Sequence, residues 1–398
     1  MPASDVDVLK NPIQQAKKQQ AKKNFNLGLA SLPVSKAGIP PLINIITILR
    51  EITNNFYIVT EPFENSPVSN CREILFPVKK YKKKSTNLII RALNYFWIQV
   101  QIAINVVKTS KNVDAWIFFG GGGLLIPLLT AKILRKKTIL SVTVSVDQSN
   151  SQRTGIEKIF LKMIVLSIKA NFYLADRIFL SNKNLYQQWD LPSNTGKTCI
   201  AYEHFIDYHS FCPYIPYHQR SNLVGFVGRL SQEKGIKNFA QSIDLLKNTD
   251  IKFSIAGEGE LDHWLNDYTK EHDINNIVHI EGWIPHEHLQ NHLNKLRLLV
   301  IPSYTESGPL IALEAIACGT PVLASNVGII PEIIFQDQTG FLLDNNSPDC
   351  IAKGIVRALK FEDIDNVTTN SLIAIQQKYT FEKVVENYRE NLKKVIYD

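Results

Sequence analysis

Pro302-Ser-Tyr-Thr-Glu-Ser-Gly-Pro-Leu-Ile-Ala-Leu-Glu-Ala-Ile-Ala-Cys-Gly-Thr-Pro-Val322 is the stretch that decides the fold. The short apolar run before it, Leu298–Ile301, reads as a buried strand ending at Pro302. Glu306 and Gly308 fall in a loop. Pro309 suits the first turn of a helix, and Gly319 closes that helix before a second apolar strand begins at Val322. A strand, a loop, a helix and another strand make a parallel βαβ unit. Glu306 and Glu314 stand eight positions apart across the helix start. Both can therefore face the crevice at the carboxyl ends of the strands, where open α/β sheets bind ligands. Free N–H groups at the helix start favour a diphosphate there. The plainer reading of Glu314 is a solvated helix glutamate.

The same alternation runs in both directions. Upstream, Leu223–Val227, Lys252–Ala256 and Ile277–Glu281 read as strands. Earlier still come the strands Asn26–Ser31, Phe56–Thr60, Glu73–Val78, Ala115–Phe119, Thr138–Val144 and Arg177–Ser181. Helical stretches lie between them at Leu42–Glu51, Thr86–Lys108, Leu124–Leu134 and Ile156–Leu174. The fold class is α/β, with parallel sheets throughout. Pro213–Arg220, with two prolines, breaks the pattern and reads as a linker. The expected organisation is a basic tail at 1–24, a first domain at 25–212, the linker at 213–220, a second domain at 221–375 and a C-terminal helical segment at 376–398 that packs back towards the first domain.

Two glycine turns precede the deciding stretch. Gly225-Phe-Val-Gly-Arg-Leu-Ser-Gln-Glu-Lys-Gly235 runs from strand through loop to helix. Its backbone N–H groups suit a phosphate, and Arg229 and Lys234 could neutralise a diphosphate; an ordinary turn with two solvated cations would look the same. Ile255-Ala-Gly-Glu-Gly-Glu260 places Gly257 at the next strand end and is weak evidence alone.

The order of these segments, with Gly-Trp-Ile-Pro at 282–285 between the second turn and Glu306, resembles glycosyltransferase family 4 over roughly residues 222–345. The resemblance implies a GT-B fold: two Rossmann-like, doubly wound domains facing an interdomain cleft. It implies a retaining enzyme, of hexosyltransferase type, that moves a sugar from a nucleoside-diphosphate sugar to a glycan or lipid-linked acceptor without a cofactor or an obligatory metal. By that resemblance Arg229 and Lys234 bind the donor diphosphate and stabilise it as it leaves, and Glu306 lies near the donor sugar. Glu314 holds the ribose hydroxyls, while Ser307, Gly308, Pro309 and Leu310 contact sugar and phosphate. Gly228 and Gly257 join the donor-binding set.

The first half matches only in outline. Relatives often carry a histidine there, but no histidine precedes His204. Asp147 stands near its place, either sharing that role or capping a turn. His204 is either a donor or acceptor contact or a hinge-packing residue. Gly38, Gly120 and Gly121 follow strands and let a ligand approach the backbone closely, although tight strand–helix packing explains them equally. A catalytically degenerate binding protein and a nucleotide-sugar epimerase of the same fold are the competing readings.

Composition narrows the setting. Residues 1–200 carry 27 Lys and Arg against 11 Asp and Glu, a net of +16, whereas residues 201–398 carry 17 against 26, a net of −9. A basic half calls for a polyanionic partner. The Lys79–Lys84 run beside the aromatic Leu88–Trp97, together with the mixed apolar and basic Lys158–Lys169, suits an anionic membrane surface, though a solvated loop beside core helices is the plainer account. Nucleic acid is not expected, because no recognition helix or base-stacking pattern appears. The five cysteines are scattered and form no C-x-x-C pair, which fits a reducing compartment and argues against structural zinc. A cytoplasmic protein, peripheral on the membrane's cytoplasmic face, is expected.

Overall fold

The computed structural model describes residues 25–34, 38–62, 73–78, 88–120, 123–143, 156–191, 196–306, 308 and 310–397. The tail 1–24, the Lys79–Lys84 run, Gly121, Asp147, Ser307 and Pro309 lie outside the described residues.

Among the described residues, thirteen strands form two sheets. The first sheet has seven strands: β1 (Phe25–Ser31), β2 (Thr53–Thr60), β3 (Glu73–Pro77), β4 (Ala115–Phe119), β5 (Lys137–Val142), β6 (Arg177–Leu180) and β7 (Thr198–Ile200), in the order β3-β2-β1-β4-β5-β6-β7. The second has six: β8 (Leu223–Val227), β9 (Lys252–Ala256), β10 (Val278–Gly282), β11 (Leu298–Ile301), β12 (Val322–Ser325) and β13 (Phe341–Leu343), in the order β10-β9-β8-β11-β12-β13. The pairs β1–β2, β1–β4, β8–β9 and β8–β11 are all parallel. Two compact units result: Met1–Leu140 with Gly155–Asp176 and Leu392–Asp398, and Ser141–Thr154 with Arg177–Asn391.

In each order the chain first walks one way and then returns past its starting strand. The reversal falls between β1 and β4 in the first sheet and between β8 and β11 in the second. Right-handed crossovers then put helices on both faces, which explains why the strands are apolar on both sides rather than alternating. β4 is buried at every position, and Trp116 and Phe118 are completely inaccessible.

In the first unit the helices are α1 (Ile39–Ile52), α2 (Leu88–Thr109), α3 (Leu125–Ile133) and α4 (Ile156–Leu174). The short α5 (Asn184–Gln188) follows β6. Around the second sheet lie α6 (Ile236–Leu245), α7 (Asp262–Glu271), α8 (His286–Lys295), α9 (Leu310–Ala317), α10 (Ile330–Ile333), α11 (Pro348–Leu359) and α12 (Ile364–Gln376), and the chain closes with α13 (Phe381–Tyr397). α6 shows why such segments are helical: Ile236, Phe239, Ala240 and Ile243, spaced three and four apart, are all buried against the sheet. α9 differs, since every residue from Ala312 to Ala317 is buried. Each sheet face of this unit thus carries its own core, one around Phe226, Phe239 and Phe253 and the other around Leu299, Leu313 and Ile316.

Candidate functional site

The residues with chemistry gather at the switch point between β8 and β11. The loop leaving β8 carries Gly228 and Arg229, then a short turn through Gln232–Lys234, then Gly235. The loop leaving β11 carries Ser303, Tyr304 and Glu306. The two loops are fastened backbone to backbone: Tyr304 N–H donates to the Glu233 carbonyl at 2.9 Å. A Cβ placed on Gly235 would lie 2.1 Å from the Pro302 carbonyl oxygen, so no larger residue fits this approach.

Across that seam Lys234 Nζ donates to Glu306 Oε1 at 2.6 Å, and Ser303 Oγ donates to the same oxygen at 2.7 Å. The Glu306 side chain is only 7% exposed, so its charge needs these two donors. Arg229 is different in kind. It is half-exposed and reaches only Glu233, at 3.1 Å, on the rim of a cavity of about 490 Å³ shared with Glu260 and Tyr304. Lys234 is therefore held in place, whereas the half-exposed Arg229 lines the cavity rim.

The second glycine turn closes on the first. Gly257, at φ 137°, packs so tightly that a Cβ would lie 1.9 Å from the Gly228 carbonyl oxygen. Gly228 N–H donates to the Ala256 carbonyl at 2.9 Å. The turns after β8 and β9 thus form one compact floor.

Glu314 sits inside α9 and is 4% exposed. A carboxylate so buried requires a partner, and His286 Nε2 supplies one at 2.9 Å from Oε1. The hydrogen bond to Glu314 holds the His286 imidazole pKa above its ordinary value. His286 opens α8, just after the Gly-Trp-Ile-Pro turn, and its ring meets Phe211 edge-on at 5.1 Å. The solvated alternative for Glu314 does not hold, because its carboxylate is buried and paired.

His204 lies against the same loop. A Cβ on Gly308 would come within 2.1 Å of His204 Nε2, so the imidazole presses on the glycine. His204 is 6% exposed, and neither ring nitrogen has a hydrogen-bond partner. Burial lowers its pKa to about 4. The neighbouring Glu203 is buried with no hydrogen bond to a described residue at either oxygen, its Oε1 lying 3.7 Å from His204 Nε2, and burial raises its pKa to about 8. Both groups are consequently neutral near pH 7. Leu310 opens α9 beside Gly308.

In the first unit, Gly38 precedes α1 and Gly120 follows β4, at the carboxyl ends of the two strands that flank its own reversal. A Cβ on Gly120 would meet nothing within 4 Å, so packing does not demand glycine there. Gly123 is the crowded one: its carbonyl accepts from the Tyr95 hydroxyl, and Leu32 stands 2.9 Å from where a Cβ would be. Of the expected residues, the structure joins Arg229, Lys234, Glu306, Gly228 and Gly257 around one switch point and sets His204 against Gly308. Ser303 and His286 were not anticipated. Ser303 sits three residues before Glu306, a spacing that could have flagged it, whereas nothing in the sequence links His286 to a glutamate 28 positions away.

Two parallel sheets, with a charged site at the switch point of the second, define a GT-B type of α/β protein. Residues 216–371 match the family described as Glycosyl transferases group 1. A glycosyltransferase of Methanocaldococcus jannaschii is 30% identical over 166 residues, 41% of this chain and 43% of its own length. The 2-deoxystreptamine N-acetyl-D-glucosaminyltransferase of Niallia circulans is 24% identical over 336 residues, 79% of this chain and 85% of its own. HepE of Anabaena, solved in complex with UDP, superposes with a TM-score of 0.72 at 14% identity, covering 93% of this chain and all of that one. The chain spans less than half the length of the first curated relatives it matches, 43% and 46%.

Proposed function

We propose that this chain transfers a glycosyl group from a nucleoside-diphosphate sugar to a glycan or lipid-linked acceptor, with retention at the anomeric carbon. The observation that carries the proposal is the Lys234–Glu306 pair spanning the switch point, with the half-exposed Arg229 on the cavity rim. Transfer breaks the bond between the anomeric carbon and the diphosphate oxygen, and the electron pair leaves with the diphosphate. The new bond forms to an acceptor hydroxyl, whose proton passes to the departing phosphate. Charge therefore grows on the diphosphate while the sugar becomes oxocarbenium-like. Cations fixed before the reaction stabilise that growing charge without reorganising. Lys234 fills this role on a fixed backbone, and Arg229 adds a second cation from the rim. The start of α9 adds backbone N–H groups. Glu306, already paired, orients Lys234 and faces the sugar, and Glu314 with His286 receives the ribose. The family match and the likeness to a fold that holds UDP in HepE support this reading.

The test is a thermal-shift panel of UDP, GDP, ADP and CDP on wild type and Arg229→Ala, followed by donor hydrolysis with wild type and Glu306→Gln. One nucleotide should stabilise the wild type by several degrees and the Arg229→Ala variant much less, and Glu306→Gln should lose hydrolysis. Folded protein that responds to no nucleotide would overturn the proposal.

A further inference from the structure

The strand reversal in the first sheet has a consequence on its outside. β1, β2 and β3 are laid down in one direction, and β4, β5 and β6 in the other. With right-handed crossovers, the helices of the return path, α2, α3 and α4, share one face of the sheet, opposite α1. α2 packs on α3, and α3 packs on α4, so the three form a single layer.

Among the described residues, the outer side of this layer is apolar and exposed. Among the described residues, thirteen of the twenty exposed large apolar side chains fall between Ile90 and Tyr173. On α2 these are Ile90, Leu93, Phe96, Trp97, Ile104 and Val107. At 100° per residue they fill one arc of about 120° along the whole helix, while Ile102 and Val106 on the other side are buried. α3 adds Leu129 and Ile133, one turn apart, and Ile133 is 80% exposed. On α4, Lys162, Leu166, Lys169 and Tyr173 follow at spacings of four, three and four, so a single line alternates cation and apolar group. Contiguous apolar surface of this kind marks a site of association.

We propose that the outer face of the α2–α3–α4 layer docks on an anionic lipid bilayer. The charges select the occupant. The three helices carry six Lys and Arg and one acidic residue, Glu157. A second copy meeting this face through a twofold axis would set lysines against lysines. A bilayer with anionic headgroups meets both halves of the pattern: acyl chains take the Leu, Phe and Trp side chains, and headgroups take Lys162 and Lys169. No described helix is long and apolar enough to cross a membrane, so this is contact with the surface rather than a span. The inference stands apart from the donor site and does not depend on which sugar is moved.

The experiment is flotation of the full chain with phosphatidylcholine vesicles, with and without phosphatidylserine, alongside analytical ultracentrifugation. Wild type should float with the anionic vesicles, less so at high salt, and its tryptophan emission should shift to the blue, a shift absent in Trp97→Phe. The variants Phe96→Ser with Leu166→Ser, and Lys162→Glu with Lys169→Glu, should each weaken vesicle binding by on the order of tenfold or more. Their thermal shift with the donor nucleotide should match wild type, showing that the fold and the donor site are intact. Failure of wild type to bind anionic vesicles at low salt would overturn the inference. So would undiminished binding by both variants, or a concentration-dependent dimer that the apolar variant abolishes.

Discussion

The two switch points are built alike and furnished differently. In the second sheet the loops after β8 and β11 bring Arg229, Lys234 and Glu306 together on backbones pressed so close that Gly235 and Gly257 admit no side chain. In the first sheet the loops after β1 and β4 carry Leu32, Pro33, Val34, Gly38, Gly120, Gly123 and Leu124 among the described residues, and none is charged. Among the described residues, the charged side chains at a switch point thus lie in the second unit. A shared topology fixes where a ligand can bind, and the side chains on its loops decide what is done there.

The difference is largest in the chemistry. Lys234→Ala should lower turnover by on the order of 10² to 10³, the usual cost of removing one preorganised donor from a developing anion. The measurement is kcat for donor hydrolysis, with the nucleotide thermal shift as the control for binding. If Gly38→Ala, which leaves all charge in place, lowered turnover as much, the contrast between the two switch points would fail.

The glycines give the next largest effect. Gly257→Ala drives a methyl into the Gly228 carbonyl and strains a positive φ, so it should destabilise the fold by about 3 kcal/mol or more. Gly120→Ala meets only the strain of φ 97°, roughly 1–2 kcal/mol. Urea midpoints of the two variants should separate accordingly. Equal losses would mean that the open space beside Gly120 is filled in solution.

Much of this division was legible in the sequence. The strands β4, β8, β9 and β11 were read to the residue, because fully buried parallel strands are unbroken apolar runs bounded by glycine, proline or charge. β7 and β13, three residues each, offer too short a run to stand out. α12 has no long unbroken apolar run either, yet it is a helix whose Ile364, Val367, Ser371 and Ile375 are buried. Lys234 and Glu306 stood out because each sits in its own strand–loop–helix segment, although the two are 72 positions apart. Pairs distant in sequence, such as His286 with Glu314 or His204 with Gly308, leave no periodic mark. The outer face of α2 was legible only in part: Leu88–Trp97 beside the lysine run suggests a membrane surface, but nothing local reveals that α2 has one stripe buried and another exposed.

Protons offer a finer test within the second unit. Burial raises Glu203 from 4.5 to about 8 and lowers His204 from 6.5 to about 4. For Glu203 the native state holds the proton more tightly than the unfolded chain. Its stabilising contribution is complete below about pH 4.5 and is lost as pH rises through about 8. His204 acts in the other direction, since its unfolded form binds the proton more tightly, so stability rises from about pH 4 to 6.5. The two slopes oppose each other in that lower range. Of these two groups only Glu203 still titrates above pH 6.5, and its contribution should fall by about 2 kcal/mol at most by pH 8. Glu203→Gln should remove that fall, as read from denaturant midpoints across the range. A slope that survives the substitution would place the titrating group elsewhere.

Arg229 gives the smallest expected effect on stability, and an informative one. Its partner Glu233 lies four residues away, and both side chains are about half exposed, at 50% and 49%. Exposed pairs of this kind contribute about 0–1 kcal/mol. Arg229→Ala should therefore leave the denaturant midpoint almost unmoved while reducing the stabilisation conferred by the nucleotide. Lys234→Ala, by contrast, strips the buried Glu306 of its cation and should lower stability as well as turnover. That outcome would separate the two cations of one loop: Lys234 would serve the scaffold as well as the proposed transfer, and Arg229 only the binding of an anion. If Arg229→Ala destabilised the free protein as much as Lys234→Ala, the rim arginine would be a structural residue, and the first contact with the donor would have to come from elsewhere in the loop.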